Sequence, residues 1–280
     1  MTKRELQLRA YEIRKTALET IQAAGSGHIG GSFSIAEILS VLYFDKMNVN
    51  PEDPDMACRD RLVLSKGHCS PALYAALAWK EFFPKEHLST FRKIDSDLSG
   101  HVEIHVPGVD MSAGSLGQGL STALGMAMYG KNKGLDYRVF CILGDGEIQE
   151  GQIWEAAMAA GHYQADQLIA FVDNNELQLD GPLEEVMSPY PIGEKFRAFG
   201  WNVIEVDGHD IEQLIRAIDL ASVTKNRPTA IVAETVKGKG VSVFEHQVRF
   251  HGGKPSEEEW KIAYAELDRK IAELGGQKHE

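Results

Sequence analysis

Five short apolar segments, at residues 62–64, 139–143, 168–172, 203–206 and 230–233, are separated by stretches with helical periodicity. This alternation restricts the fold more than any other feature of the chain. A strand that leads through a helix into the next strand returns parallel to the first, so repeated units predict an α/β fold: a doubly wound, mainly parallel sheet flanked by helices.

The helices are marked by their ends. Leu6, Ile13, Ala17, Leu18 and Ile21 recur at helical spacing until Gly25, and Ser34 with Glu37 reads as a capping box opening a second helix after a polar loop at 25–31. Ser70-Pro71 starts a helix predicted to reach about Phe83. Others are predicted after Ser115, near 152–162 and at 211–220. Ser256 and Glu259 cap a last helix over about 256–274, which Gly275-Gly276 stops. With no repeat, low-complexity tract or linker, residues 1–280 read as one domain, long enough to bury a large core.

Composition narrows the function. The 29 basic and 41 acidic residues give a net charge of −12, which argues against nucleic acid or an anionic membrane surface as partner. An anionic ligand would have to be held by a local device: a metal ion, backbone N–H groups or imidazoles. No run of about twenty apolar residues predicts a membrane span. The opening Met1-Thr2-Lys3-Arg4-Glu5 lacks the apolar stretch of a secretory signal, so a cytoplasmic location is expected. Cys58, Cys69 and Cys141 form no C-x-x-C pair and are expected to be free thiols.

Two motifs carry the chemistry. The strand at 139–143 runs into Gly144-Asp145-Gly146-Glu147, and the strand at 168–172 runs into Asp173-Asn174-Asn175. Parallel strands bring Asp145 and Asn175, thirty positions apart, to the same carboxyl edge, where open α/β sheets bind ligands. A carboxylate, an amide oxygen and a backbone carbonyl such as that of Leu177, joined by two diphosphate oxygens and a water, suit the octahedral oxygen shell of Mg²⁺. Gly144 and Gly146 would let the backbone approach phosphate oxygens and take φ angles closed to other residues. Each motif alone reads equally well as a turn; together they point to a metal–diphosphate site. Residues 25–32 outline a P-loop without its lysine, and 114–119 has the wrong order for a dinucleotide fingerprint.

Four histidines, His28, His68, His101 and His251, stand in glycine-rich or polar loops, where imidazoles can bond to diphosphate or hydroxyl oxygens and move protons near neutral pH. His87, His105, His162, His209, His246 and His279 have no comparable setting and stay unassigned.

From about residue 10 to 255 the chain resembles transketolase. The likeness is carried by Ser26-Gly27-His28, Asp60 through His68, Gly114-Ser115-Leu116-Gly117-Gln118-Gly119, and the Gly-Asp-Gly and Asn-Asn motifs in this order. The resemblance implies thiamine diphosphate as cofactor and Mg²⁺, or Ca²⁺ or Mn²⁺ in its place, held by Asp145, Asn175 and the Leu177 carbonyl. It also implies that His68, Gly144, Gly146 and His251 lie at the diphosphate, Gly114 and Leu116 at the aminopyrimidine, and Leu179 near the thiazolium. His28, His101 and His251 would serve the substrate, and Glu150 and Glu155 a carboxylate network at a subunit interface. Ile29 and Ser115 stand where many transketolases have proline.

Transketolases continue into a pyrimidine-binding domain, which supplies the glutamate that activates the cofactor. This chain stops soon after His251, so the resemblance implies a split enzyme. A separate subunit carrying that domain would complete a 2+2 heterotetramer transferring a ketol unit between sugar phosphates, as in the pentose phosphate pathway. The alternatives are a subunit of another thiamine diphosphate enzyme, such as a deoxyxylulose phosphate synthase or an oxo-acid dehydrogenase, and a non-catalytic cofactor-binding subunit. The four histidines with Gly-x-Leu-Gly-Gln-Gly favour transketolase.

Overall fold

The strands predicted from the apolar segments all form: β1 (Arg61–Leu64), β2 (Val139–Gly144), β3 (Leu168–Asn174), β4 (Asn202–Asp207) and β5 (Thr229–Glu234). The computed structural model describes residues 1–276, and in it the five strands make one sheet in the order β1-β2-β3-β5-β4, with every pair parallel. Ten helices accompany them among the described residues. These are α1 (Lys3–Ala24), α2 (Ile29–Ser34), α3 (Ala36–Val41), α4 (Ser70–Trp79), α5 (Gln118–Lys133), α6 (Gly151–His162), α7 (Leu183–Val186), α8 (Ile192–Ala198), α9 (Ile211–Val223) and α10 (Glu257–Gly275). None is long and apolar enough to cross a membrane.

Strand periodicity divides the apolar residues between two cores. Phe140, Ile142, Ile169 and Phe171 pack beneath α1, α3, α4 and α9. Their neighbours Val139, Cys141, Leu143, Leu168, Ala170 and Val172 face α5, α6 and α8. A parallel strand covered on both sides is apolar at every position, which is why these segments read as continuous runs.

A third cluster, made of Leu18, Ile21, Ile29, Phe33, Val241, Phe244, Phe250, Trp260, Ala263 and Leu267, seats α10 and the segment before it against α1 and α2. Phe250 meets Phe244 edge to face at 4.5 Å, and Phe244 meets Phe33 at 6.0 Å. Burial of each ring contributes roughly 1.5–3 kcal/mol. This cluster draws the turn ending in His251 up to the start of α2, where His28 is the N-cap.

The capping box at Ser256 and Glu259 forms as expected. The one expected at Ser34 does not. Helix α2 runs through part of the predicted loop, and α3 starts from Ile35 with no side-chain cap. Tertiary partners take both residues: Ser34 Oγ donates to Asp173 Oδ2 at 2.7 Å, and Glu37 pairs with Arg14. Helix α4 stops at Trp79, short of Phe83, and Phe82 and Phe83 instead enter the first core. Helix α5 waits until Gln118 because Gly117 before it takes φ +85°, which a residue without Cβ adopts cheaply.

Candidate functional site

The loops that follow β1, β2, β3 and β5 meet at the carboxyl edge of the sheet. They surround a pocket of about 230 Å³ lined by Lys66, His68, Asp145, Asn175, Lys237 and His251 among others.

Asp173, at the end of β3, is fully buried and accepts from Ser34 Oγ, Thr235 Oγ1, Lys66 Nζ and Asn175 Nδ2. Burial would raise the carboxyl and lower the ammonium, but their attraction outweighs it: Lys66 is held above its ordinary range and Asp173 below. The Asn175 amide nitrogen bonds Asp173 at 3.0 Å, so its oxygen is fixed on the other side, where it accepts from Leu177 N at 3.3 Å.

Asp145 is 2% exposed. Its two oxygens accept Gly146 N at 2.8 Å and Glu176 N at 2.6 Å, and no lysine or arginine among the described residues forms an ion pair with it. Burial, and after it the charge of Asp173, pushes its carboxyl up to about 7. A cation at this point would restore the ionised form. The Leu177 carbonyl lines the same pocket and accepts Lys237 Nζ at 2.7 Å. Lys237 is itself buried; burial, then repulsion from Lys66, lowers its ammonium to about 8. No three His, Cys, Asp or Glu side chains among the described residues gather into a metal cage. A hard cation held here would therefore need oxygens from its ligand.

The four histidines come together. His28 lies 5.1 Å from His68, 6.0 Å from His101 and 5.5 Å from His251, centroid to centroid, and His68 stacks on His251 at 5.0 Å. Burial is the first cause of a downward shift in all four. It takes His28 to about 4, with Arg92 next, and His251 to about 3, with Lys237 next. His68 falls well below its ordinary value, with Lys66 next, and His101 is lowered, with Arg92 next. Burial thus favours the neutral form of all four, and His28 Nδ1 is buried with no hydrogen-bond partner among the described residues. A ligand oxygen or hydroxyl would satisfy it.

These shifts predict acid lability. Unfolded histidines take up protons near pH 6.5, whereas folded His28, His68 and His251 do so only well below and His101 below. Their contribution to stability is therefore complete above about pH 6.5 and is lost as pH falls toward 4 and 3. Asp145 acts in the opposite sense: its contribution is complete below about pH 4 and fades as pH rises through about 7. Three or four imidazoles outweigh one carboxyl. The melting temperature is expected to drop by on the order of 5–10 °C between pH 7 and 5, and by less in His251→Gln. A flat profile would contradict the neutral quartet.

Of the residues chosen from sequence, His68, Leu116, Gly144, Asp145, Gly146, Glu150, Asn175, Leu177, Leu179 and His251 line the pocket. His28 and His101 reach it through the histidine rings. Gly114 and Glu155 do not line it; both are exposed. The φ argument for Gly144 and Gly146 fails, since neither has positive φ. At Gly144 a Cβ would meet nothing closer than 3.7 Å in the chain, so any demand for glycine there comes from what approaches from outside.

Sequence reasoning missed Lys66, Asp173, Lys237 and Glu147. The buried Glu147 carboxylate accepts Ser65 Oγ, Gly117 N at 2.9 Å and Gly144 N at 2.9 Å, pinning three loops of the pocket at once. The available signal was a charged residue within about four positions of the end of each of four apolar segments.

An α/β sheet whose carboxyl edge gathers a buried carboxylate, an amide oxygen, a loop carbonyl and cationic side chains has the donor set that suits an anionic, diphosphate-bearing cofactor. The chain belongs to the transketolase family: residues 6–270 match the model described as transketolase, thiamine diphosphate binding domain. It is 47% identical over 269 residues to the 6-deoxy-6-sulfo-D-fructose transketolase subunit SqwG of Clostridium sp. (strain MSTE9), covering 96% of this chain and 98% of that protein. It is 42% identical over 269 residues to an apulose-4-phosphate transketolase subunit of Phocaeicola vulgatus, covering 96% of each. Among solved structures, Campylobacter jejuni transketolase superposes with a TM-score of 0.89 at 32% identity, over 99% of this chain and 47% of that one. The chain thus spans about half the length of the solved transketolase it matches.

Proposed function

We propose that this chain is the thiamine-diphosphate-binding subunit of a transketolase and works with a second chain that carries the pyrimidine-binding domain. The observation that carries this reading is the convergence of the Asp145 carboxylate, Asn175 Oδ1 and the Leu177 carbonyl in one pocket with His68, His251, Lys66 and Lys237. These three oxygens would hold Mg²⁺, and Ca²⁺ or Mn²⁺ would satisfy the same hard donors. His68, Gly144, Gly146 and His251 would receive the diphosphate, Gly114 and Leu116 the aminopyrimidine ring, and Leu179 the thiazolium.

The bound cofactor supplies the nucleophile and the electron sink for breaking the carbon–carbon bond beside a ketose carbonyl. The chain's own residues orient and protonate. His28, His101 and His251, neutral when unloaded, would bond the ketose hydroxyls and carbonyl oxygen, and would accept and return protons there. Glu150 and Glu155 would meet the partner. Leu116 at 38% and Leu179 at 61% stand exposed at the pocket, and Met187, whose carbonyl accepts from pocket-lining Gln149, is 60% exposed; this apolar rim supports a covering chain.

Two relatives named as subunits match nearly end to end, which supports a separate partner; the single-domain chain would join it in a 2+2 assembly. A sugar phosphate of the pentose phosphate type, a 6-sulfo-sugar and a branched sugar phosphate are the donor and acceptor classes to assay, with the cytoplasm as the expected location.

His28→Ala and His101→Ala test the division of roles. Cofactor affinity, measured by calorimetry on the assembled enzyme, is expected to stay within about threefold. Ketol transfer at saturating cofactor should fall by about 10²-fold or more, the usual contribution of a positioned proton-transfer group. Full ketol transfer by either variant would remove that residue from the substrate site.

A further inference from the structure

His209, whose setting in the sequence carries no functional signal, sits in the turn between β4 and α9 with its side chain 12% exposed. Its Nε2 accepts the Val236 N–H at 2.8 Å. A backbone N–H can only donate, so Nε2 carries no proton and the ring hydrogen is on Nδ1, 3.0 Å from Glu37 Oε2. Glu37 is fixed in turn. Arg14 grips both its oxygens, at 2.7 and 2.5 Å, Gln7 Nε2 adds a bond at 3.0 Å, and Arg14 and Glu37 are 0% and 1% exposed.

Val236 precedes Lys237, whose ammonium bonds the Leu177 carbonyl and stands 3.1 Å from His251 Nδ1. The flanking backbone is tied elsewhere, Thr235 N to Asn174 O and Gly238 N to Gly30 O, both at 3.0 Å. His209 thus holds the Val236 donor between these two anchors, from an element that does not line the pocket.

We propose that His209 is a positioning residue: through the Arg14–Glu37 pair it presents Nε2 as an obligate acceptor, which fixes the Val236–Lys237 backbone and with it Lys237 at the cofactor pocket. The proposal rests on the thiamine diphosphate reading. It differs from a packing role in which atom matters. A glutamine carbonyl oxygen reaches about as far as Nε2 and can accept from Val236. An asparagine amide reaches only to about Nδ1, where it can serve Glu37 but not Val236.

The test compares His209→Gln, His209→Asn and His209→Ala in the full chain by two readouts: amide hydrogen exchange at Val236 without ligand, and calorimetric affinity for thiamine diphosphate with Mg²⁺. The glutamine variant is expected to match the parent within about threefold in both. The asparagine and alanine variants should exchange Val236 at least tenfold faster and bind the cofactor roughly tenfold more weakly, the loss expected for one hydrogen bond that orders a binding group. Protection retained by asparagine and lost by glutamine would overturn the proposal, as would equal behaviour of all three. If the parent chain, assembled with its partner, bound no thiamine diphosphate at all, the functional reading would fail and exchange at Val236 would still decide the clasp.

Discussion

Asp145→Ala is expected to abolish Mg²⁺-dependent binding of thiamine diphosphate, with an affinity loss of about 10²-fold or more, and Asn175→Ala is expected to do the same. Mg²⁺ tolerates little departure from six near-octahedral oxygens, so loss of one protein ligand is not made good by a shift of the others. At Asp145 the loss includes the only charge the chain offers the cation in this ligand set. At Asn175 it includes the bond to Asp173 that orients the amide. Asp145→Asn removes the charge and keeps the shape: its single amide oxygen can accept only one of the two backbone N–H groups, so a modest fall in melting temperature is expected beside the loss of binding. The raised carboxyl also sets a pH dependence. Below about 7 a proton competes with the metal, so affinity should climb with pH and level off above that value. Calorimetry of the parent and both alanine variants decides the assignment, and unchanged affinity in both would overturn it.

The second large effect concerns the chain alone. Purified with Mg²⁺ and thiamine diphosphate it is expected to show no ketol transfer, and a chain carrying the pyrimidine-binding domain is expected to restore turnover by about 10³-fold or more. The cofactor becomes nucleophilic only when a carboxyl group bonds its aminopyrimidine ring, and the family draws that group from the other domain. Glu150, the N-cap of α6, is exposed at the pocket edge, and Glu155 is exposed one turn along the same helix without lining the pocket. Neither is enclosed with a ring-binding surface in this chain. The exposed Leu116, Leu179 and Met187 should become protected on assembly, and sedimentation should give two copies of each chain. Turnover by the chain alone at the rate of the mixture would sink the split-enzyme reading.

What could be read without the structure and what could not divide along physical lines. Strand positions followed from apolar runs, helix ends from Ser256 with Glu259 and from Gly25, and the sheet's parallel order from the alternation. Asp145 and Asn175 were legible because each closely follows a strand, and parallel strands deliver their ends to one edge whatever the packing details. These are local signals, or signals that topology alone makes spatial.

The failures involve residues whose partners lie far along the chain. Ser34 and Glu37 satisfy the pattern of a helix cap, yet their oxygens go to Asp173, 139 positions on, and to His209, 172 positions on. Lys66 and Asp173 pair across 107 positions, and nothing near either one announces it. The helix signal at Ser34 is worth about 1 kcal/mol, whereas leaving a buried carboxylate such as Asp173 or Glu37 short of its donors costs several, so the tertiary bond wins. The sequence by itself therefore determined the sheet, its edge and the placement of Asp145 and Asn175 there. Only the packed structure decided which cations, clasps and histidines converge there, because burial and long-range pairing set their energies.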